Sequence, residues 1–200
     1  ELEGVFNAVD TIAELRQSAN LGELSVGRRI VVIGGGNTAI DIAVQSKKLG
    51  AEDVTIAYRR GPEQMSATWK EQEFAQTNGV SVKHWVAPKS LQSENGHVTG
   101  IEFECMEMNS EGKLTATGEL RFIEADVVFK AIGQSFEDTD FSGSEMPEIV
   151  GGKIAVNIEF ETSLPGVWAG GDCVRSGEDL TVQAVEDGKQ AALSIHRKLT

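Results

Sequence analysis

Hydrophobic residues fall into two rhythms along this chain of 200 residues. In "VFNAVDTIAELRQSANLG" (5–22) apolar positions recur at helical spacing and stop at Gly22, which reads as a helix end. "RRIVVI" (28–33) is instead a short β-branched run without polar alternation, as suits a strand buried on both faces. "NTAIDIAVQSKKLG" (37–50) reads as a helix closing on Gly50, and "VTIAY" (54–58) as the strand that follows. Together they make a βαβ unit. A second helix near "TWKEQEFAQTNG" (68–79) leads into a strand at "VSVKHW" (80–85).

The rhythm changes at His97. "HVTGIEFECMEMNSEGKLTATGELRFIEA" (97–125) alternates apolar and polar residues around "NSEGK", predicting an antiparallel β-meander. "DVVFKAIG" (126–133) returns to the buried-strand pattern. Beyond residue 146 the pattern predicts a loop, short strands at "KIAV" and "GVWAGG", and a last helix from about Leu180. The expectation is an α/β, Rossmann-like fold with a three-layer sheet arrangement and an added β-meander.

Between the first strand and its helix stand three glycines, Gly34, Gly35 and Gly36. Gly34 is suited to a tight turn, Gly36 to the close approach of a pyrophosphate, and the small Ala39 to close packing of helix on sheet. The helix start, with Asn37 and Thr38, would offer free N–H groups and a positive dipole end to phosphates. An NAD site usually places an acid at the end of the second strand, about 20 residues on, to bond the ribose 2′-hydroxyl. Here the chain reads Arg59-Arg60, and Asp41 lies on the helix, where it cannot replace that acid. Guanidinium groups bind a 2′-phosphate that a carboxylate would repel, so NADP(H) is favoured over NAD(H).

Charge and composition narrow the chemistry. The net charge of −13 argues against nucleic acid as a partner. Residues 27–62 are an exception, with Arg28, Arg29, Lys47, Lys48, Arg59 and Arg60 against Asp41, Glu52 and Asp53. No apolar run approaches the roughly 18 residues of a membrane span, and "ELEGVFNAVD" lacks the layout of a secretory signal. Cys105 and Cys173 suit a reducing cytoplasm.

No Cys-x-x-Cys exists for a redox pair or an iron–sulfur cluster, and His84, His97 and His196 lack metal-ligand spacing. The only tyrosine, Tyr58, has Pro62 where a short-chain dehydrogenase needs lysine. Hydride transfer to a flavin tolerates this poverty, because the cofactors carry the chemistry.

"GVWAGGDCVRSGEDLTVQAVEDGKQAALSIHRKL" (166–199) resembles the C-terminal flavin-binding piece of the two-dinucleotide-binding-domain flavoproteins. The resemblance implies that Asp172, after Gly171, meets the FAD ribityl chain. It also implies that the next helix points its start, with Thr181, Val182 and Ala184, at the flavin. "ADVVFKAIGQS" resembles the segment where the chain leaves the NAD(P) domain, with Ala131, Ile132 and Gly133 at its centre.

Within that family, "VVIGGGNTAIDIA", "VTIAYRRGPEQM" and "LTVQAVEDGKQAA" most resemble the NAD(P)H-oxidising, FAD-dependent reductase subunit of bacterial dihydropyrimidine dehydrogenases. The glutamate synthase small subunit is a near relative. The resemblance implies hydride transfer from NAD(P)H to FAD. Electrons would then pass to a partner subunit with flavin and iron–sulfur clusters that reduces uracil or thymine. A non-catalytic NADP(H)-binding module is the rival from another class.

The family's first glycine fingerprint, for the FAD pyrophosphate, and its cluster-binding cysteines have no counterpart here. The chain thus reads as a piece of a longer protein, expected to retain FAD weakly or not at all. Its expected parts are residues 1–26, a helix and linker from the FAD side; 27–145, the NAD(P)-binding domain; and 146–200, a C-terminal piece of the FAD-binding domain.

Overall fold

The computed structural model describes residues 2–24, 26–133, 145–178 and 180–200. The chain divides into two compact units, residues 1–133 and 134–200.

In the first unit the strands are β1 (Val5–Asn7), β2 (Arg29–Gly34), β3 (Asp53–Ala57), β4 (Ser81–Lys83), β5 (Val86–Glu94), β6 (His97–Met108), β7 (Leu114–Glu124) and β8 (Val127–Ala131). The helices are α1 (Ala8–Gln17), α2 (Asn37–Lys48) and α3 (Trp69–Thr77). Strands β1, β8, β2, β3 and β4 form, in that order, a five-stranded sheet whose paired neighbours all run parallel. Strands β5, β6 and β7 form the antiparallel meander.

Period-two alternation sorts the strand β2 between two cores. Ile30 and Val32 join Ile42, Ala43, Val44, Ile56 and Ala75 on the helical side. Val31 instead joins Ala57, Val128, Ile101 and Phe103 beneath the meander. Helices, parallel sheet and meander thus make three layers, and the unbroken apolar run of β2 is buried on both faces as expected.

Two departures lie in this unit. Val5–Asn7, read as the start of a helix, is an edge strand in register with Val128–Lys130, and the helix covers only Ala8–Gln17. Its apolar positions do have helical spacing. The pairing partner, distant in sequence, decides the conformation of the first three. Ala8, Ile12 and Leu15 of that helix join the core on the helical side of the sheet. β5 escaped the pattern because most of its residues are exposed and polar, and its pairing with β6 is broken by irregularities at Pro88/Ser90 and Gln92/Ser93.

The second unit holds a two-stranded pair, β9 (Ile149–Val150) and β10 (Lys153–Ile154), and one long helix, α4 (Thr181–Leu199). "GVWAGG" forms no strand. It makes an isolated bridge between Trp168 and Glu161, and Gly166 and Gly171 turn the chain with φ of +78° and +82°. The Trp168 indole N–H donates to Ser194 Oγ at 3.1 Å, and Lys198 lies over its ring, 5.3 Å from the centroid. Among the described residues no helix is long and apolar enough to cross a membrane.

Candidate nucleotide-binding site

Each glycine after β2 meets a different neighbour. A Cβ on Gly34, whose φ is +149°, would lie 2.1 Å from the Ala131 carbonyl oxygen, so β2 leaves the sheet hard against the end of β8. A Cβ on Gly35 would enter the Tyr58 ring at 2.5 Å. Gly36 is extended, with φ −102° and ψ −178°, and the nearest atom to a Cβ there is the Ser66 hydroxyl oxygen at 3.1 Å.

Gly36 is the residue before α2, so no side chain caps that helix. Its first-turn N–H groups, at Asn37 and Thr38, point beyond the helix start as anion donors. Ala39 is fully buried, in keeping with close helix–sheet packing.

The loop after β3 is tied to this turn. Ala67 N–H donates to the Gly35 carbonyl at 3.1 Å, and the Tyr58 hydroxyl donates to the Gln64 carbonyl at 2.5 Å. Arg59 is exposed and Arg60 half-buried, and among the described residues neither joins an ion pair. Trp85, held at φ +61°, packs its ring where a Cβ on Gly61 would come within 2.7 Å, and its N–H donates to the Arg60 carbonyl. Beside it, His84 Nε2 is buried without a hydrogen-bond partner, and burial pushes the imidazole pKa below its ordinary value against the opposing pull of Glu63.

The positive character of residues 27–62 is narrower in space than in sequence. Arg28 pairs with Glu52 at 2.7 Å, and Arg29 pairs with Glu124 and reaches Asp126. These pairs sit where β2, β3 and β8 begin. Lys47 donates to the Glu52 carbonyl, and Lys48 lies over the Phe74 ring. Arg59 and Arg60 carry the unpaired charge at the opposite ends of the strands.

Ile132 and Gly133 follow β8, whose last residue, Ala131, is in register with Gly34. Ile132 is 73% exposed, and Gly133, with φ +100°, has open space where a Cβ would stand.

In the second unit, Gly171 and Asp172 form a turn fixed from below. The Asp187 carboxylate, only 2% exposed, accepts from Gly171 N–H at 2.9 Å and from Gln183 Nε2 at 2.6 Å. Asp172 itself is exposed. Thr181 and Val182 open α4, whose start has no side-chain cap, and Leu180, Val182 and Val185 present exposed apolar surface there. Cys173 donates to the Gly170 carbonyl at 3.3 Å and fills its place as a small residue. No cluster of His, Cys, Asp or Glu among the described residues could hold a metal ion.

Sequence reasoning passed over Ser66, Trp85 and Asp187. Ser66 and Trp85 carry no local signal, since each gains its place from a loop packing on another strand. Asp187 did carry one: with Ala191 and Ser194 it lies on the buried stripe of α4, an odd place for an acid without a partner.

The glutamate synthase [NADPH] small chain of Escherichia coli (strain K12) is 34% identical over 98% of this chain, which spans 45% of that protein. The NADP(+)-dependent formate dehydrogenase subunit beta of Moorella thermoacetica is 34% identical over 86% of this chain, matched to 25% of its own length. The chain thus spans less than half the length of these curated relatives. Among solved structures, thioredoxin reductase from T. acidophilum superposes with a TM-score of 0.77 at 24% identity, covering 98% of this chain and 58% of that one. The shared architecture is the α/β Rossmann-like fold. Matched over residues 1–188, the chain belongs to the pyridine nucleotide-disulphide oxidoreductase family.

Proposed function

We propose that this protein is the electron-input part of a flavin-dependent oxidoreductase, taking hydride from NAD(P)H to FAD. The family uses both cofactors. The observation that carries the reading is the start of α2: an uncapped helix behind a glycine whose Cβ position meets one hydroxyl, with two arginines just after β3 that join no ion pair among the described residues.

In this reading the backbone at Gly34, Gly35 and Gly36 and the N–H groups of Asn37 and Thr38 hold the pyrophosphate, and Arg59 and Arg60 hold the adenosine end. Ile132 and Gly133 border the nicotinamide half. Gly171, Asp172, Thr181 and Val182 contact FAD, with Asp172 as acceptor for a ribityl hydroxyl. When bound, the two cofactors supply the hydride chemistry themselves, and the protein residues bind, orient and exclude water.

The electrons would pass on to a catalytic partner subunit with flavin and iron–sulfur clusters. Relatives named as a small chain and a subunit beta support a partnered assembly. Pyrimidine reduction as the destination rests on the resemblance of the motifs at residues 31–43, 54–65 and 180–192. The similarity to the glutamate synthase small chain favours a second destination, glutamate formation, with the same input step. The free cysteines fit a reducing compartment such as the cytoplasm.

A calorimetric titration with NADPH and NADH side by side tests the nucleotide reading. Arg60→Ala should weaken NADPH about tenfold or more while leaving NADH within about twofold, since only NADPH carries the extra phosphate. Equal losses would show that Arg60 reads a feature the two share, and binding of neither by the unaltered protein would sink the proposal.

A further inference from the structure

Beside the glycine turn, α3 delivers a carboxylate to which the phosphate reading gives no role. Glu71 accepts from Thr68 N–H at 2.6 Å, and Glu71 N–H donates to the Thr68 hydroxyl at 3.4 Å. Thr-x-x-Glu is a capping box, and on most helices the role of such a glutamate ends there. Here the same half-buried carboxylate also faces the Asn37 amide, one end of which lies 2.9 and 3.2 Å from its two oxygens; a carboxylate only accepts, so that end is assigned as the N–H donor. Asn37 is the first residue of α2, directly after Gly36. The bond from Ala67 N–H to the Gly35 carbonyl fastens the same loop to the turn, so backbone and side chain together set where Glu71 stands.

An amide has a donor end and an acceptor end. With its nitrogen turned to Glu71, Asn37 presents its oxygen at the other end, and an oxygen can only accept. The phosphates of a dinucleotide carry no proton at neutral pH and also only accept, so the amide oxygen is mismatched to them. Ribose hydroxyls flank the pyrophosphate on both sides and are donors within one sugar's reach.

Building on the nucleotide reading above, we propose that Glu71 is a positioning residue: it aims Asn37 as an acceptor for a ribose hydroxyl and leaves the phosphates to the backbone N–H groups of α2. This gives the Asn37 side chain a sugar contact beside the phosphate contact of its backbone N–H.

The test is a double-mutant cycle read by calorimetry with NADPH. Glu71→Ala and Asn37→Ala should each weaken NADPH about fivefold, the scale of one hydrogen bond. The double variant should be no weaker than either single one, because Glu71 acts through Asn37. Thr68→Ala removes the cap and spares the Asn37–Glu71 pair, so it should bind NADPH within about twofold of the unaltered protein. Inorganic pyrophosphate, followed by amide NMR, should bind the Glu71→Ala protein no more weakly than the original.

Additive losses, or a Thr68→Ala loss equal to that of Glu71→Ala, would assign Glu71 to helix capping alone and overturn the proposal. Should Glu71→Ala fail to fold, Asn37→Ala decides, since alanine is favourable within a helix. Unchanged NADPH affinity in that variant overturns the proposal. Failure of the unaltered protein to bind NADPH would instead strike the function proposed above.

Discussion

At the end of β2 the chain places glycines at 34, 35 and 36, and in the second unit it places them at 170, 171 and 177. The neighbours that demand them differ. Gly170 packs on Asp187, where a Cβ would lie 2.8 Å from the aspartate's own Cβ, and a Cβ on Gly177 would fall 1.7 Å from the Gly171 carbonyl oxygen. Gly171 turns the chain at φ +82°. All three positions are explained by the protein itself, which clamps this turn from below. In the first turn, Gly34 and Gly35 are likewise explained, by Ala131 and by Tyr58. Gly36 is not, because only a rotatable hydroxyl stands near it. A glycine demanded by internal packing or by a positive φ says nothing about a ligand, whereas Gly36, which neither demands, leaves room for one.

The largest effects should come from the internally demanded glycines. In Gly34→Ala the new methyl meets a backbone carbonyl at 2.1 Å with φ at +149°, so overpacking and backbone strain act together. A loss of about 3 kcal/mol or more is expected in urea unfolding. Gly177→Ala carries the steric part alone and should cost about 2 kcal/mol. If Gly34→Ala unfolds with the stability of the original protein, the distinction between internally and externally demanded glycines fails at its clearest case.

This distinction also marks how far the sequence could be read. β2, α2, β3, α3 and the β6–β7 hairpin were legible because periodicity and capping are local: Thr68 and Glu71, for example, announce the start of α3. β1 was not legible, since its residues keep helical spacing while a partner more than a hundred positions away holds them extended. The glycine turn and the two arginines were visible as a candidate site. The pairing of Arg28 and Arg29 at the strand starts was hidden, because Glu52, Glu124 and Asp126 come from distant parts of the sequence. The carboxylate against Asn37 was hidden for the same reason.

An intermediate effect should come from the clamp under the second turn. Asp187→Ala leaves the Gly171 N–H and the Gln183 amide without their acceptor in a buried place, at an expected cost of about 2 kcal/mol. Asp187→Asn keeps one acceptor oxygen, and Gln183 can turn its amide to match, so about 1 kcal/mol should be lost. Hydrogen exchange at the Gly171 amide offers the sharper readout: protection should fall in Asp187→Ala and largely survive in Asp187→Asn. Unchanged protection in Asp187→Ala would show that the turn holds itself, and the contrast between a clamped turn and an open one would lose half its content.

The smallest effect on stability should accompany a large effect on binding, at Gly36. Its φ of −102° suits any residue, and a methyl there would press only on the Ser66 hydroxyl at 3.1 Å, which can rotate away. Alanine is a poorer residue before a helix than glycine, so Gly36→Ala should cost about 0.5–1 kcal/mol in unfolding. Under the proposed reading the same methyl would occupy the space through which a pyrophosphate reaches the α2 N–H groups, and NADPH should bind about tenfold more weakly or worse. The two measurements separate the reasons for a glycine: Gly34→Ala loses stability, while Gly36→Ala largely keeps it and loses affinity for the ligand. NADPH affinity within about twofold of the original in a well-folded Gly36→Ala protein would show that the open space beside Gly36 is not where phosphates approach.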